Sequence, residues 1–286
     1  MSKPIEKLTR LGQSVWYDNV SRGLLQSGAI GQLINAGVRG LSSNPTIFEK
    51  AIAQSADYDQ ASSILVNSGL NSQEIYDSLT IKDIQQTADL LKPVYDSTNG
   101  LDGYASLEVS PHLAHDTDGT LLEARRLYEA LDRPNVMIKV PATEAGIPAM
   151  TTLISEGINV NNTLIFNLEK YRDVRAGYIK GLLLRDANGY DISKVSSVAS
   201  FFVSRVDTAV DALLNKNFHS QLLGKAAIAN ASIAYRDFLV DFGTGNFDDL
   251  RGQGAQVQRP LWASTSTKNP MYSDLYYVEA LVGDNT

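Results

Sequence analysis

The chain contains no cysteine, which excludes disulfides, thiolate catalysis and zinc–sulfur sites. Histidine is scarce as well: only His112, His115 and His219 are present. His112 and His115 stand three apart, with Asp116 and Asp118 following. That pattern admits a weak metal site, but a polar loop after a strand is the better reading of it, and no metal is expected. No apolar run approaches the ~20 residues needed to span a bilayer, so no membrane partner is expected. The opening residues, MSKPIEK, lack the apolar core of a signal peptide, which makes the cytoplasm the expected location. Positive charge is not in excess either. A net charge of −7 gives a polyanion nothing to approach, so nucleic acid is not an expected partner. A small anion is still compatible, because a few local cations and backbone N–H groups can hold one phosphate. Finally, no GxGxxG or GxxxxGK(S/T) run follows the first strand, which removes the best signal for a doubly wound nucleotide-binding fold.

What is present is an ordinary globular balance, 43% apolar and 20% charged, with enough material for a core. Short β-branched or apolar runs predict seven strands, at 14–19, 38–43, 104–110, 136–142, 159–166, 195–204 and 259–265. Between them, apolar residues recur at three- and four-residue spacing, as at 119–131, 167–184 and 205–214. Asn44-Pro45-Thr46 puts proline at a first helical position, and Asp116 and Asp118 precede the 119–131 pattern. Strand–helix alternation with short links means a parallel sheet. Polar residues fall in or just after many of these strands: Asp18, Asn44, Glu108, Lys139, Thr163, Ser200 and Ser264. In a closed barrel such positions converge on one face, so the expected fold is an α/β barrel forming a single domain over 1–286. Helical insertions are expected at about 50–99 and 216–257. The second holds a long helix at 221–242 and then a Gly-rich polar stretch, 243–256, that reads as a surface loop or, less simply, a lid.

Lys139 lies in VMIKVPA (136–142), an unusual place for a residue seldom buried without a partner. Burial disfavours the charged form of an amine and frees its nitrogen to attack carbonyls. A strand-end lysine whose head reaches solvent would show the same pattern. Glu108, in ASLEVS (105–110), could move protons near Lys139 or form a core ion pair with it. Both readings place the two together. Asp18, ending the first strand, is a second candidate carboxylate, with N-capping of the following helix as its plain alternative. Asn44 has the same capping alternative, and Thr163 could be an ordinary strand residue. Ser200, Arg205, Ser264 and Lys268 suit a phosphate by chemistry and by position after the last strands. Arg205 could instead pair with Asp207 or Asp211.

Together these segments resemble the transaldolase family. The likeness is carried by GVRGLSSNPTIF (37–48), which resembles the family's early T-(S/T)-N-P signature, and by VMIKVPA with TEAG (143–146), which resembles the segment around the Schiff-base lysine. GINVNNTLIF (157–166), VASFFVSR (198–205) and RPLWAST (259–265) continue it in order. It spans roughly residues 10–282 and looks closest to the longer bacterial branch.

The resemblance implies a (β/α)8 TIM barrel of the class I aldolase type. It implies transfer of a dihydroxyacetone unit from fructose 6-phosphate or sedoheptulose 7-phosphate to erythrose 4-phosphate or glyceraldehyde 3-phosphate, in the pentose phosphate pathway. Lys139 would form the imine, Asp18 would take the proton that drives cleavage, and Glu108 with Thr163 would serve proton transfer through a water. Asn44 and Asn161 would hold donor hydroxyls and Lys139. Ser200 would sit near the donor's three-carbon end, with Arg205 and Ser264 on the phosphate. No cofactor is expected, because the iminium supplies the electron sink. A Schiff-base sugar-phosphate aldolase and an inactive, binding-only barrel are the alternatives, and a homodimer stays open as the assembly.

Two departures bear on these expectations. Where the shorter branch has a second phosphate-binding arginine after Ser264, this chain reads TSTK (265–268), and Lys268 takes the role. The sequence also stops at Thr286 before an eighth strand and its final helices. A fragment of a longer polypeptide is the expected explanation.

Overall fold

A computed structural model describes residues 4–217, 219–243 and 245–286. The chain forms two compact units. The first takes in the described residues up to Arg10 and then Ser14–Lys139, and the second takes in Leu11–Gln13 and Val140–Thr286.

In the first unit, α1 (Pro4–Arg10) precedes β1 (Trp16–Tyr17), α2 (Arg22–Gln26), α3 (Ala29–Ala36) and β2 (Gly40–Ser42). Three helices follow, α4 (Pro45–Gln54), α5 (Asp59–Asn67) and α6 (Ser72–Ser97), and then β3 (Tyr104–Glu108) and α7 (Thr117–Leu131). With β4 (Val136–Pro141) the chain passes out of this unit after Lys139. The strands β1, β2, β3 and β4 pair in that order, all parallel. β4 is buried at every position, and β3 at all but its last. Continuous burial of this kind marks a parallel sheet covered on both faces, where period-two alternation disappears.

Local chemistry sets the helix starts. Asn44 caps α4, its side chain accepting from the Ile47 N–H at 3.0 Å, with Pro45 next in line. Asp116 caps α7 in the same way, through Gly119. A capping box of Asn71 and Glu74 opens the 26-residue α6. Asp18 is not a cap: α2 begins four residues later, and Ser21 fills that role by accepting from Leu24. The reason is local, since Ser21 stands directly before the first helical residue and Asp18 does not.

A buried ionic group ties α2 to α6. Asp83 accepts from Arg22 Nε at 3.1 Å, Arg22 Nη2 at 2.8 Å and the Tyr58 hydroxyl at 2.7 Å. Burial pushes the Asp83 carboxyl up from its ordinary range, against the pull of these donors. Replacing Asp83 by alanine would leave the Arg22 guanidinium buried without a counter-charge. The expected loss is about 3–5 kcal/mol, measurable as a lower urea midpoint at unchanged slope.

In the second unit the order is α8 (Gly146–Glu156), β5 (Val160–Ile165), α9 (Leu168–Ala187), β6 (Ser197–Phe202) and α10 (Ser204–Lys216). Then come α11 (Ala226–Gly243), α12 (Asp248–Gly252), β7 (Arg259–Ala263) and α13 (Tyr276–Ala280). β5, β6 and β7 pair in parallel. The core gathers Tyr171, Tyr178, Phe201, Phe238 and Phe242. All seven expected strands are present, each shorter than its sequence pattern.

The Gly-rich stretch 243–256 is not an open loop or lid where it is described. It holds a 3-10 turn (Gly245–Phe247) and α12, with Phe247 and Leu250 buried and the Phe247 ring edge-on to Phe242. Two apolar anchors outweigh the loop-like composition around them. Residues 218 and 244, inside the insertion expected at 216–257, lie outside the described residues.

Candidate active site

In the first unit, the β3–β4 register places Glu108 directly opposite Lys139. Neighbouring residues of parallel strands project to the same face, so the two side chains meet. Lys139 Nζ lies 3.4 Å from Glu108 Oε2 and donates to the Ser43 carbonyl at 3.1 Å. The lysine is 6% exposed, so its head does not reach solvent, and that alternative is set aside. Ser43 is itself fixed, its hydroxyl donating to the Ser106 carbonyl at 2.7 Å. Ser43 was not singled out from the sequence. The only signal for it was its place beside Asn44.

Burial is the main influence on Glu108 and pushes its carboxyl up. Lys139 pulls it down, and the charge of Asp18 pushes it up again. Such a group keeps its proton to higher pH than an exposed carboxyl. The base form is therefore lost earlier as pH falls. The acid limb of the kcat/KM profile is expected above the ordinary carboxylate value of about 4.3. Glu108→Gln is expected to remove that limb and slow the reaction by about 10²-fold or more. A wild-type limb at or below the ordinary value would contradict this.

Asp18 follows β1 directly and is exposed. Its Oδ1 accepts from the Ser42 hydroxyl at 2.5 Å, a short charge-assisted bond that holds one carboxylate oxygen and leaves the other available. Asn44 spends its side-chain oxygen on the α4 cap, so its amide nitrogen is what remains for a ligand. A cavity of about 200 Å³ is lined by Glu108 together with residues of α4, α6 and α7, among them Glu49, Tyr76 and Glu123. Burial, and then the charges of Asp77, Glu108, Glu123 and Glu49, push the Tyr76 hydroxyl up to about 12.

In the second unit, Thr163 is 1% exposed and its hydroxyl has no hydrogen-bond partner among the described residues. Its carbonyl accepts from the Ala142 N–H at 2.8 Å. Leu164 follows in the left-handed region at φ 61°, within a register shift between Asn162 and Ile165. This is the backbone irregularity that gathers at functional positions. Asn161 is fully buried and accepts from the Ser200 hydroxyl at 2.7 Å.

Ser264, just past β7, also has a left-handed backbone, at φ 56°. Its hydroxyl shares a hydrogen bond with that of Ser204 at 2.9 Å. Arg205 is exposed, with its guanidinium 4.9 Å from the centre of the Phe202 ring. It has no ion pair among the described residues. Asp207 and Asp211, the alternative partners, accept instead from Ala227 N–H, Gly224 N–H and two tyrosines. Residues two apart on a helix do not face each other, which explains why Asp207 is out of reach. Lys268 is exposed and donates to Ser266 at 2.7 Å. Among the described residues no group of three or more His, Asp or Glu side chains is arranged to hold a metal. Asp116, next to His115, serves as the α7 cap.

Comparison with known proteins adds an independent line. Residues 15–286 match the family described as transaldolase/fructose-6-phosphate aldolase. A protein named transaldolase from Trichodesmium erythraeum is 47% identical over 292 residues, covering 98% of this chain and 77% of that protein. Transaldolase 2 from a Nostoc species is 47% identical over 293 residues, with the same coverage. The transaldolase of Saccharopolyspora erythraea is 48% identical over 284 residues, covering 99% of this chain and 77% of the other.

Proposed function

The chain belongs to the transaldolase/fructose-6-phosphate aldolase family, and from that membership we propose a Schiff-base dihydroxyacetone transfer centred on Lys139. The observation that carries the proposal is a buried lysine amine held beside a carboxylate in register on the neighbouring strand. The donor is fructose 6-phosphate or sedoheptulose 7-phosphate. The acceptor is glyceraldehyde 3-phosphate or erythrose 4-phosphate.

The amine of Lys139 attacks the donor's carbonyl carbon, and loss of water from the carbinolamine gives the iminium. Asp18 takes the proton of the hydroxyl on the carbon that becomes the leaving aldehyde. The carbon–carbon bond breaks towards the iminium, which accepts the electron pair as an enamine. The enamine then attacks the acceptor aldehyde, and hydrolysis of the new imine returns the free amine. Glu108 carries protons during imine formation and hydrolysis. The unpaired hydroxyl of Thr163 supports its role in orienting a water. Asn44 and Asn161 hold donor hydroxyls and the lysine, and Ser200 lies towards the three-carbon end. Arg205, Ser264 and Lys268 receive the phosphate, a role supported for Arg205 by the absence of an ion pair to it among the described residues.

The finer architecture, a single barrel domain of the (β/α)8 type to which residues 1–286 contribute the seven strands described above, belongs to the same proposal and is supported by strand–helix alternation in both units. So do a place in the pentose phosphate pathway, a cytoplasmic location and a homodimer. Among the described residues, no helix is long and apolar enough to cross a membrane. Borohydride reduction in the presence of fructose 6-phosphate, followed by peptide mass mapping, tests the chemistry. A glyceryl adduct on Lys139 is expected, and a folded sample giving no adduct would sink the proposal.

A further inference from the structure

The segment after β7 runs along α10 and is tied to it at both ends. At the near end, the Ser204 N–H donates to the Ser264 carbonyl at 3.1 Å and the two serine hydroxyls bond at 2.9 Å. At the far end, the Tyr272 hydroxyl donates to Asp211 at 2.7 Å and the Tyr277 hydroxyl to Asp207 at 2.9 Å. Each aspartate spends its other oxygen on a backbone N–H at the start of α11, that of Gly224 just before the helix for Asp211 and that of Ala227 in its first turn for Asp207. The Tyr276 hydroxyl adds a bond to the Gly224 carbonyl, and the Tyr272 and Tyr276 rings stack at 5.1 Å.

Gly224 shows how close the fit is. At φ 72°, a Cβ there would come 2.9 Å from the Tyr272 ring. Between the two ties lie residues 265–271, mostly without regular structure, carrying Lys268 and ending at Met271, 85% exposed. Two buried carboxylates each bound by a tyrosine hydroxyl and an amide are costly to leave incomplete. The tie therefore has a defined register, which an exposed loop of this composition would lack by itself.

We infer that Tyr272 and Tyr277 are positioning residues for substrate phosphate, holding the Ser264–Lys268 strap in one register along the helix that carries Arg205. This deepens the proposed function and rests on its phosphate assignment. Neither tyrosine touches substrate. They act by removing the entropy the strap would otherwise lose on closing around an anion.

The test uses Tyr272→Phe and Tyr277→Phe, singly and together, which keep ring volume and remove only the hydroxyl. In the double variant, KM for fructose 6-phosphate and the inhibition constant of inorganic phosphate are expected to rise together by about fivefold or more. kcat should stay within about twofold, and KM for unphosphorylated fructose should not change. Equal losses on both donors, or an unchanged phosphate inhibition constant, overturn the inference. Arg205→Ala, assayed in parallel, separates the two levels. If it leaves phosphate inhibition untouched, the phosphate assignment itself fails. If it weakens inhibition while the tyrosine variants do not, only the positioning role fails.

Discussion

Lys139→Ala is expected to reduce turnover by roughly 10⁴-fold or more, as the loss of a covalent nucleophile does, and to abolish the borohydride adduct. The size follows from the chemistry. In the proposed mechanism, without an iminium there is no electron sink for the breaking carbon–carbon bond. Attack requires a free lone pair on Nζ, and Glu108 at 3.4 Å is placed to exchange the proton. The Ser43 carbonyl holds the nitrogen from another side, so the amine meets its carbonyl already oriented. Alanine also leaves a void and deprives Glu108 of its counter-charge, so lost activity has to be separated from lost structure. Lys139→Met fills most of the volume without the amine. Both variants should give native circular dichroism with no trapped product. A persisting adduct on another lysine would remove Lys139 from its role.

The arrangement around that amine was only partly legible in the sequence. Lys139 and Glu108 stood out because each puts a charge into an apolar strand, and burial then made their pairing the economical outcome. The strands themselves were visible because buried parallel strands leave unbroken apolar runs. The helices at Asn44 and Asp116 were visible because their caps are chemically distinctive. What escaped depends on register and on distant partners. Ser42 meets Asp18, and the Ser43 carbonyl meets Lys139, only in the register in which β1, β2, β3 and β4 pair. A slip of one residue would turn each to the other face. By sequence, Arg205 has carboxylates at hand on its own helix. Those carboxylates are claimed by Tyr272 and Tyr277, more than sixty residues on, and no local pattern announces such a claim. The stretch 243–256 reads as a loop because glycine and polar residues dominate its composition, whereas Phe247 and Leu250 decide its packing.

Asp18→Asn separates the steps that Lys139→Ala removes together. Asparagine keeps the size of the side chain and can still accept from the Ser42 hydroxyl, so the geometry at the end of β1 should survive. What it lacks is basicity. In the proposed mechanism, imine formation runs through Lys139 and Glu108 without Asp18, so the borohydride adduct with fructose 6-phosphate is expected to persist. Cleavage does need a base for the departing hydroxyl proton, and removing it is expected to slow that step by about 10²–10⁴-fold. Trapped before cleavage, the adduct should then carry the whole six-carbon donor, whereas the wild-type enzyme yields the three-carbon fragment. Single-turnover release of glyceraldehyde 3-phosphate, followed beside adduct mass, reads both quantities in one experiment. The Ser42 bond makes the outcome decisive, because at 2.5 Å it fixes the carboxylate independently of substrate. A slow variant with an intact adduct is then a loss of proton transfer and not of placement. Unaltered turnover in Asp18→Asn would take the base role away from this residue.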